Sequence, residues 1–129
     1  MTERIFSGAP WEKRVGYCRA IRRGPHVYVS GTAPVDDHGG VAAKGDAYGQ
    51  ARRCLEIIEH ALQSLGLGRS SIVRTRMFVT NIDRWADFGR AHAEFFGDDL
   101  PTTSMVEVRR LIDPAMLIEI EADALVLHS

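Results

Sequence analysis

The chain has 129 residues, 45% of them hydrophobic, 26% charged and 8% aromatic, and 16 Lys and Arg against 17 Asp and Glu leave a formal charge of −1. That balance fits one domain over 1–129, long enough to bury roughly two-thirds of its unfolded surface without disulfides or a metal. It speaks against a membrane protein, because no apolar run approaches the roughly 20 residues of a span, and against nucleic acid as an obligatory partner, which calls for a basic excess.

The start, Met1 to Phe6, places no hydrophobic stretch behind its charges, so neither export nor anchoring is expected. Cys18 and Cys54 are far apart, with no CxxC and no metal-ligand spacing, which points to a reducing, cytoplasmic setting. Charge is uneven along the chain. Arg4, Lys13, Arg14, Arg19, Arg22 and Arg23 crowd the first 25 residues, and Asp113, Glu119, Glu121 and Asp123 the last 18, an arrangement expected to pair within or between chains.

In chain order, weak strands are expected at 3–7 and 17–23, then a stronger one from His26 to Gly31 ending in a Gly- and Asp-rich turn at 36–40. Ala47, Ala51, Cys54, Leu55, Ile58, Ala61, Leu62 and Leu65 step by three and four through an amphipathic helix over 44–67 that stops at Gly66. Ile72 to Thr80 is β-prone. A second helix follows at 82–97, with candidate caps Asn81 and Asp83 and an aromatic stripe of Trp85, Phe88, Phe95 and Phe96. Thr103–Leu111 and Leu117–Leu127 read as two last strands around a turn at Asp113-Pro114. The order β-β-β-α-β-α-β-β predicts an α+β domain with one sheet and two helices.

Alternation along the last strand puts Ile118, Ile120, Ala122, Ala124 and Val126 on one face and Leu117, Glu119, Glu121, Asp123 and Leu125 on the other. Val27 and Val29 likewise oppose Tyr28 and Ser30, and Val106 and Val108 are expected to oppose Met105, Glu107 and Arg109. Two helices cover only one face. The other mixes Tyr28, Met105, Leu117 and Leu125 with charge, a composition suited to burial in a symmetric oligomer.

No P-loop, GxGxxG after a strand, HExxH or GxSxG is present. His26, His38, His60, His92 and His128 are scattered, so no metal is expected, and His60, His92 and the cysteines read as packing residues. Glu119, Glu121 and Asp123 share a face, where crowding raises at least one pKa unless Arg74, Arg76, Arg109 or Arg110 relieves it. Either an ion-pair ladder or an acid/base site could result.

Tyr17, Val27-Tyr-Val-Ser-Gly31-Thr-Ala-Pro-Val35, Asp46 with Gln50-Ala51, the strand Val73 to Asn81, Pro101 with Ser104-Met-Val-Glu-Val108, and Ile118-Glu-Ile-Glu-Ala122 together resemble the RidA family, also called YjgF or L-PSP endoribonucleases. The resemblance spans essentially the whole chain. It implies a chorismate-mutase-like fold with a single mixed sheet, a homotrimer with the sheets packed inside, and a small-molecule cleft at each subunit interface. It further implies cofactor-independent hydrolysis of an imine or enamine, such as 2-iminopropanoate, to a keto acid and ammonia. By family motif Glu119 matches the acid that orients water or moves protons and Ser30 a catalytic hydroxyl beside the substrate. Tyr17 matches a pocket wall, Gly31 a close backbone approach, and Ser104 and Met105 the lining of the cleft.

One departure stands out. Deaminating members carry Pro-x-Arg-Ser, whose arginine grips the substrate carboxylate, whereas this chain has Pro101-Thr102-Thr103-Ser104. Thr103 offers one neutral hydroxyl in place of a charged fork. The expectation is a substrate other than 2-iminopropanoate, or recruitment of Arg76, Arg109 or Arg110 to the carboxylate. The competing readings are a non-catalytic metabolite-binding module and RNA cleavage or translation inhibition, for which the Arg14 to Arg23 cluster is the sole foothold.

Overall fold

The three-and-four spacing of apolar residues in the middle of the chain folds as α2 (Ala47–Gln63), shorter at both ends than the 44–67 expected. Its start is set by Asp46, whose side chain accepts a hydrogen bond from the Gly49 amide at 2.9 Å. The computed structural model describes residues 1–127, and His128 lies outside them. The other elements are β1 (Thr2–Ile5), α1 (Pro10–Val15), β2 (Ala20–Arg23), β3 (His26–Thr32), β4 (Ile72–Val79), α3 (Trp85–Phe96), β5 (Thr102–Glu107) and β6 (Ile118–Leu125). A 3-10 turn at Ile82–Arg84 leads into α3, with the Asn81 side chain accepting from the Asp83 amide.

Six strands form one mixed sheet in the order β1-β2-β3-β6-β4-β5, antiparallel except for the β4–β5 pair. The expected order of strands and main helices holds, with α1 as an addition. Its signals are Pro10 in the first turn and Gly16, which takes the left-handed conformation at φ 90° and donates to the Glu12 carbonyl. The Glu12 side chain is buried and accepts from the Ser7 amide and hydroxyl, so this six-residue helix is tied down at its start.

One face of the sheet carries Val27, Val29, Met77, Val79, Ile118, Ile120, Ala122 and Ala124, all buried. Against them pack Leu55, Ile58 and Leu62 of α2 and Phe88 and Phe96 of α3. Truncating a buried aromatic such as Phe88 to Ala costs roughly 3–5 kcal/mol. Gln50, fully buried on α2, donates to the Ala115 carbonyl at 2.9 Å and accepts from the Leu117 amide at 2.8 Å. A side chain on the helix thereby fixes the backbone that enters β6.

The opposite face carries Tyr28, Ser30, Arg74, Arg76, Phe78, Glu119, Glu121 and Asp123, as the register requires. The packing of α2 and α3 is on the other side, and Tyr28 is 50% exposed. On β5 the expected parity is reversed. Parallel pairing sets Met105 beside buried Met77 on the helix side and Val106 beside Phe78 on the open side, where it is 47% exposed. β5 is an edge strand, so its neighbour's register, not its own hydrophobic alternation, sets which face each residue takes. Pairing also ends at Glu107 rather than Leu111, which leaves Arg109 and Arg110 in the following loop. Among the described residues no ion pair joins the basic start of the chain to its acidic end.

Candidate functional site

β3 departs from regular pairing where the site forms. Val29 pairs with Ala122 and Thr32 with Ile120, so three steps on β3 match two on β6 and a bulge falls at Ser30-Gly31. The Thr32 hydroxyl bonds the Ser30 carbonyl at 2.8 Å, and the Ser30 hydroxyl donates to the Cys18 carbonyl at 2.7 Å. Ser30 is thereby held to the two residues that lead into β2, by its side chain and by its amide, which donates to Arg19 O at 3.0 Å.

The bulge brings the backbone of Gly31 under the Glu119 side chain. A Cβ at residue 31 would stand 3.0 Å from Glu119 Cδ and closer still to Oε2, so only glycine leaves the carboxyl its place. Burial holds the Glu119 pKa above its ordinary value of 4.5; Arg19 pulls it back, and Glu121 adds to the rise. The other two acids of the row behave differently. Arg76 reaches Glu121 at 3.1 Å and Asp123 at 3.5 Å, forming the expected ion-pair ladder, and Glu119 stands outside it.

Arg19 completes the cluster, a place that the charge pattern of the sequence does not assign to it. Its side chain is 9% exposed, its Nη2 donates to the Gly31 carbonyl at 2.8 Å, and its guanidinium lies 5.7 Å from the Tyr17 ring centroid. The register puts it there: Ala20 pairs with Val29, which places Arg19 beside Ser30 on the open face. Tyr17 is set by α1, since its amide bonds the Glu12 carbonyl at 2.9 Å.

Tyr17, Arg19, Ser30, Gly31 and Glu119 therefore converge within one chain. Thr103, Ser104, Met105 and Arg109 do not join them. Thr103 turns to the helix side, where Thr75 Oγ1 lies 2.7 Å from its hydroxyl and 2.8 Å from His92 Nε2. Met105 is on that same side. Ser104 sits on the open face beside Arg76, and Arg109 is exposed in the bend after β5. Beneath the sheet, Cys54 Sγ lies 3.9 Å from the Ile118 carbonyl; burial drives its pKa upward, keeping the thiol protonated and inert. Among the described residues no group of three His, Cys, Asp or Glu is placed to hold a metal, and no helix is long and apolar enough to cross a membrane.

A six-stranded mixed sheet with helices on one face and a partly buried carboxyl folded over a glycine bulge on the other defines a recognisable class of small α+β proteins. The family model described as Endoribonuclease L-PSP matches residues 9–126, and the chain belongs to that family, whose members also carry the names YjgF and RutC. The structure of Rv2704 from Mycobacterium tuberculosis, a member of the YjgF/YER057c/UK114 family, is similar with a TM-score of 0.89 and 45% identity, covering 98% of this chain and 100% of that one. The 3-aminoacrylate deaminase RutC of Acinetobacter baylyi is 34% identical over 84% of this chain and 85% of its own. TdcF of E. coli, solved with bound serine, is 31% identical with a TM-score of 0.77, covering 84% and 87% of the two chains.

Proposed function

We propose that the chain is a cytosolic, cofactor-independent hydrolase of a small imine or enamine, acting in a cleft that a second copy of the chain completes within a homotrimer. The observation that carries this reading is the Glu119 carboxyl, partly buried, outside the neighbouring ion pairs and seated on the glycine bulge. A carboxyl with its pKa raised toward the working pH is suited to take a proton and return it. An enamine first tautomerises to the imine. Water then adds to the C=N carbon as Glu119 takes one of its protons and passes it to the nitrogen. The carbinolamine hydroxyl gives its proton to the nitrogen as the C–N bond breaks, releasing ammonia and a carbonyl product. An imine carbon is already electrophilic, so positioning and proton transfer suffice.

Completion by a second copy is supported by two features. The open sheet face exposes Tyr28 and Val106, and Thr103 and Met105, which match cleft positions by motif, are turned away from Glu119 within one chain. Two hollows on one chain's surface lie elsewhere, one of about 180 Å³ between α2 and α3 and another beside Leu111 and Ile112.

Because Thr103 stands where deaminating members have arginine, a substrate gripped by its carboxylate from β5, as 2-iminopropanoate is in those members, is disfavoured. The similarity to a 3-aminoacrylate deaminase and to a serine-bound structure supports a small-molecule ligand. The test is ammonia release from a panel of enzymatically generated imines and enamines, with wild type and Glu119→Gln compared. Turnover lost in the variant supports the reading. Saturable ligand binding with no turnover by wild type assigns the chain as a binding module instead.

A further inference from the structure

We infer that Arg19 is the residue of this cleft that recognises an anionic group of the ligand, which is then read from the β2 side rather than from β5. This deepens the reading of the Glu119 cleft and rests on it.

The argument begins with what the guanidinium lacks. Arginine stays charged and presents five N–H donors in a fixed fork. Arg19 is nine-tenths buried, yet among the described residues its side chain makes one hydrogen bond, from Nη2 to Gly31 O, and Nε is buried with no partner. A buried charged donor left unpaired is costly, which is why such groups are found with an anion opposite. Its backbone is held on both sides, the amide donating to Ile5 O at 2.7 Å and the carbonyl accepting from Ser30 N, so the side chain projects from a fixed base.

Glu119 does not satisfy it. Arg19 acts on the Glu119 carboxyl through its field, but the two are farther apart than the 4.0 Å of an ion pair. Both bracket Gly31, the arginine through its carbonyl and the acid over its Cα. A fixed positive charge and a carboxyl thus adjoin the same glycine, the arrangement a substrate needs when its carboxylate sits a bond or two from the reacting carbon.

The other candidates for this task are committed or misplaced. Arg76 is held by Glu121 and Asp123, Arg109 is exposed in the loop after β5, and Arg110 borders an apolar hollow with Leu111 and Ile112. The Thr103 hydroxyl is bonded to Thr75.

The experiment titrates the full-length protein, isotopically labelled at the arginine Nε, with 2-oxobutanoate and with its uncharged methyl ester. The Arg19 Nε–H resonance is expected to move with the acid and not with the ester. Arg19→Gln should weaken binding of the acid roughly ten- to a hundredfold, the value of a charge-assisted pair, and Arg19→Lys less. Should Arg19→Gln fail to fold, the wild-type spectra alone decide. Equal binding of acid and ester with the Arg19 resonance unmoved overturns the assignment, and Glu119-dependent turnover of an uncharged imine would show that the cleft reading survives it. Absence of both binding and turnover overturns the two together.

Discussion

The carboxyl group of Glu119 on β6 occupies the space that a side chain at Gly31 on β3 would fill, its Cδ standing 3.0 Å from where a Cβ there would lie. Gly31→Ala is therefore expected to displace the acid rather than unfold the sheet. A shift of about 1 Å in a reacting group can cost roughly 10²-fold in rate. The expected outcome is a loss of that order in imine turnover with an unchanged circular dichroism spectrum; full activity in the variant would sink the proposed role of Glu119.

The same acid predicts how stability varies with pH. Burial raises its folded pKa above the unfolded value near 4.5, so the native state holds its proton over a range in which the unfolded chain has released it. Stability must then fall as pH rises through that interval, and the penalty persists above it. Glu119→Gln removes this penalty. Thermal melts from pH 4 to pH 8 should show the variant gaining on wild type as pH increases, with the gap closing toward pH 4.

His92 acts in the opposite sense. Its burial lowers the folded pKa below 6.5, so the unfolded state takes up a proton first as pH falls, and the stability associated with the neutral ring is lost below that point. His92→Gln should flatten the acid side of the melting curve. Thr103→Val, which strips one partner from the buried Thr75 hydroxyl, should cost about 1 kcal/mol in urea unfolding without steepening the acid limb.

Assembly is testable through Val106. It lies on the open face beside Phe78, 47% exposed in one chain. Wild type is expected to sediment at three times the 14.3 kDa of the chain, and Val106→Glu to shift the mass toward that of a single chain, since a carboxylate there must be desolvated on association.

What could be read from the sequence follows a physical divide. β6 is central, flanked by β3 and β4, so its alternation of Ile118, Ile120, Ala122 and Ala124 with Glu119, Glu121 and Asp123 reports burial directly, and the covered face and the carboxylate row were legible from it. β5 has one neighbour and little burial, so Met105 and Val106 could be assigned to either face until the register with Met77 and Phe78 was known. Arg19 was legible only as part of a basic cluster, because the bulge that gathers it with Gly31 and Glu119 depends on three strands at once. Helix α1 escaped notice because six residues carry too little periodicity, although Pro10 and Gly16 mark both its ends.

The two hydrogen bonds from Gln50 to the backbone at Ala115 and Leu117 have a dynamic consequence. They anchor the first turns of α2 to the segment that leads into β6, two residues before Glu119. Local opening of that segment requires the helix to release a fully buried amide, so the Leu117 N–H should exchange with solvent only through near-global unfolding. If that exchange is slow, the proposed proton carrier sits on a segment that opens only with the whole fold, and the mobility a turnover cycle needs has to come from other parts of the site.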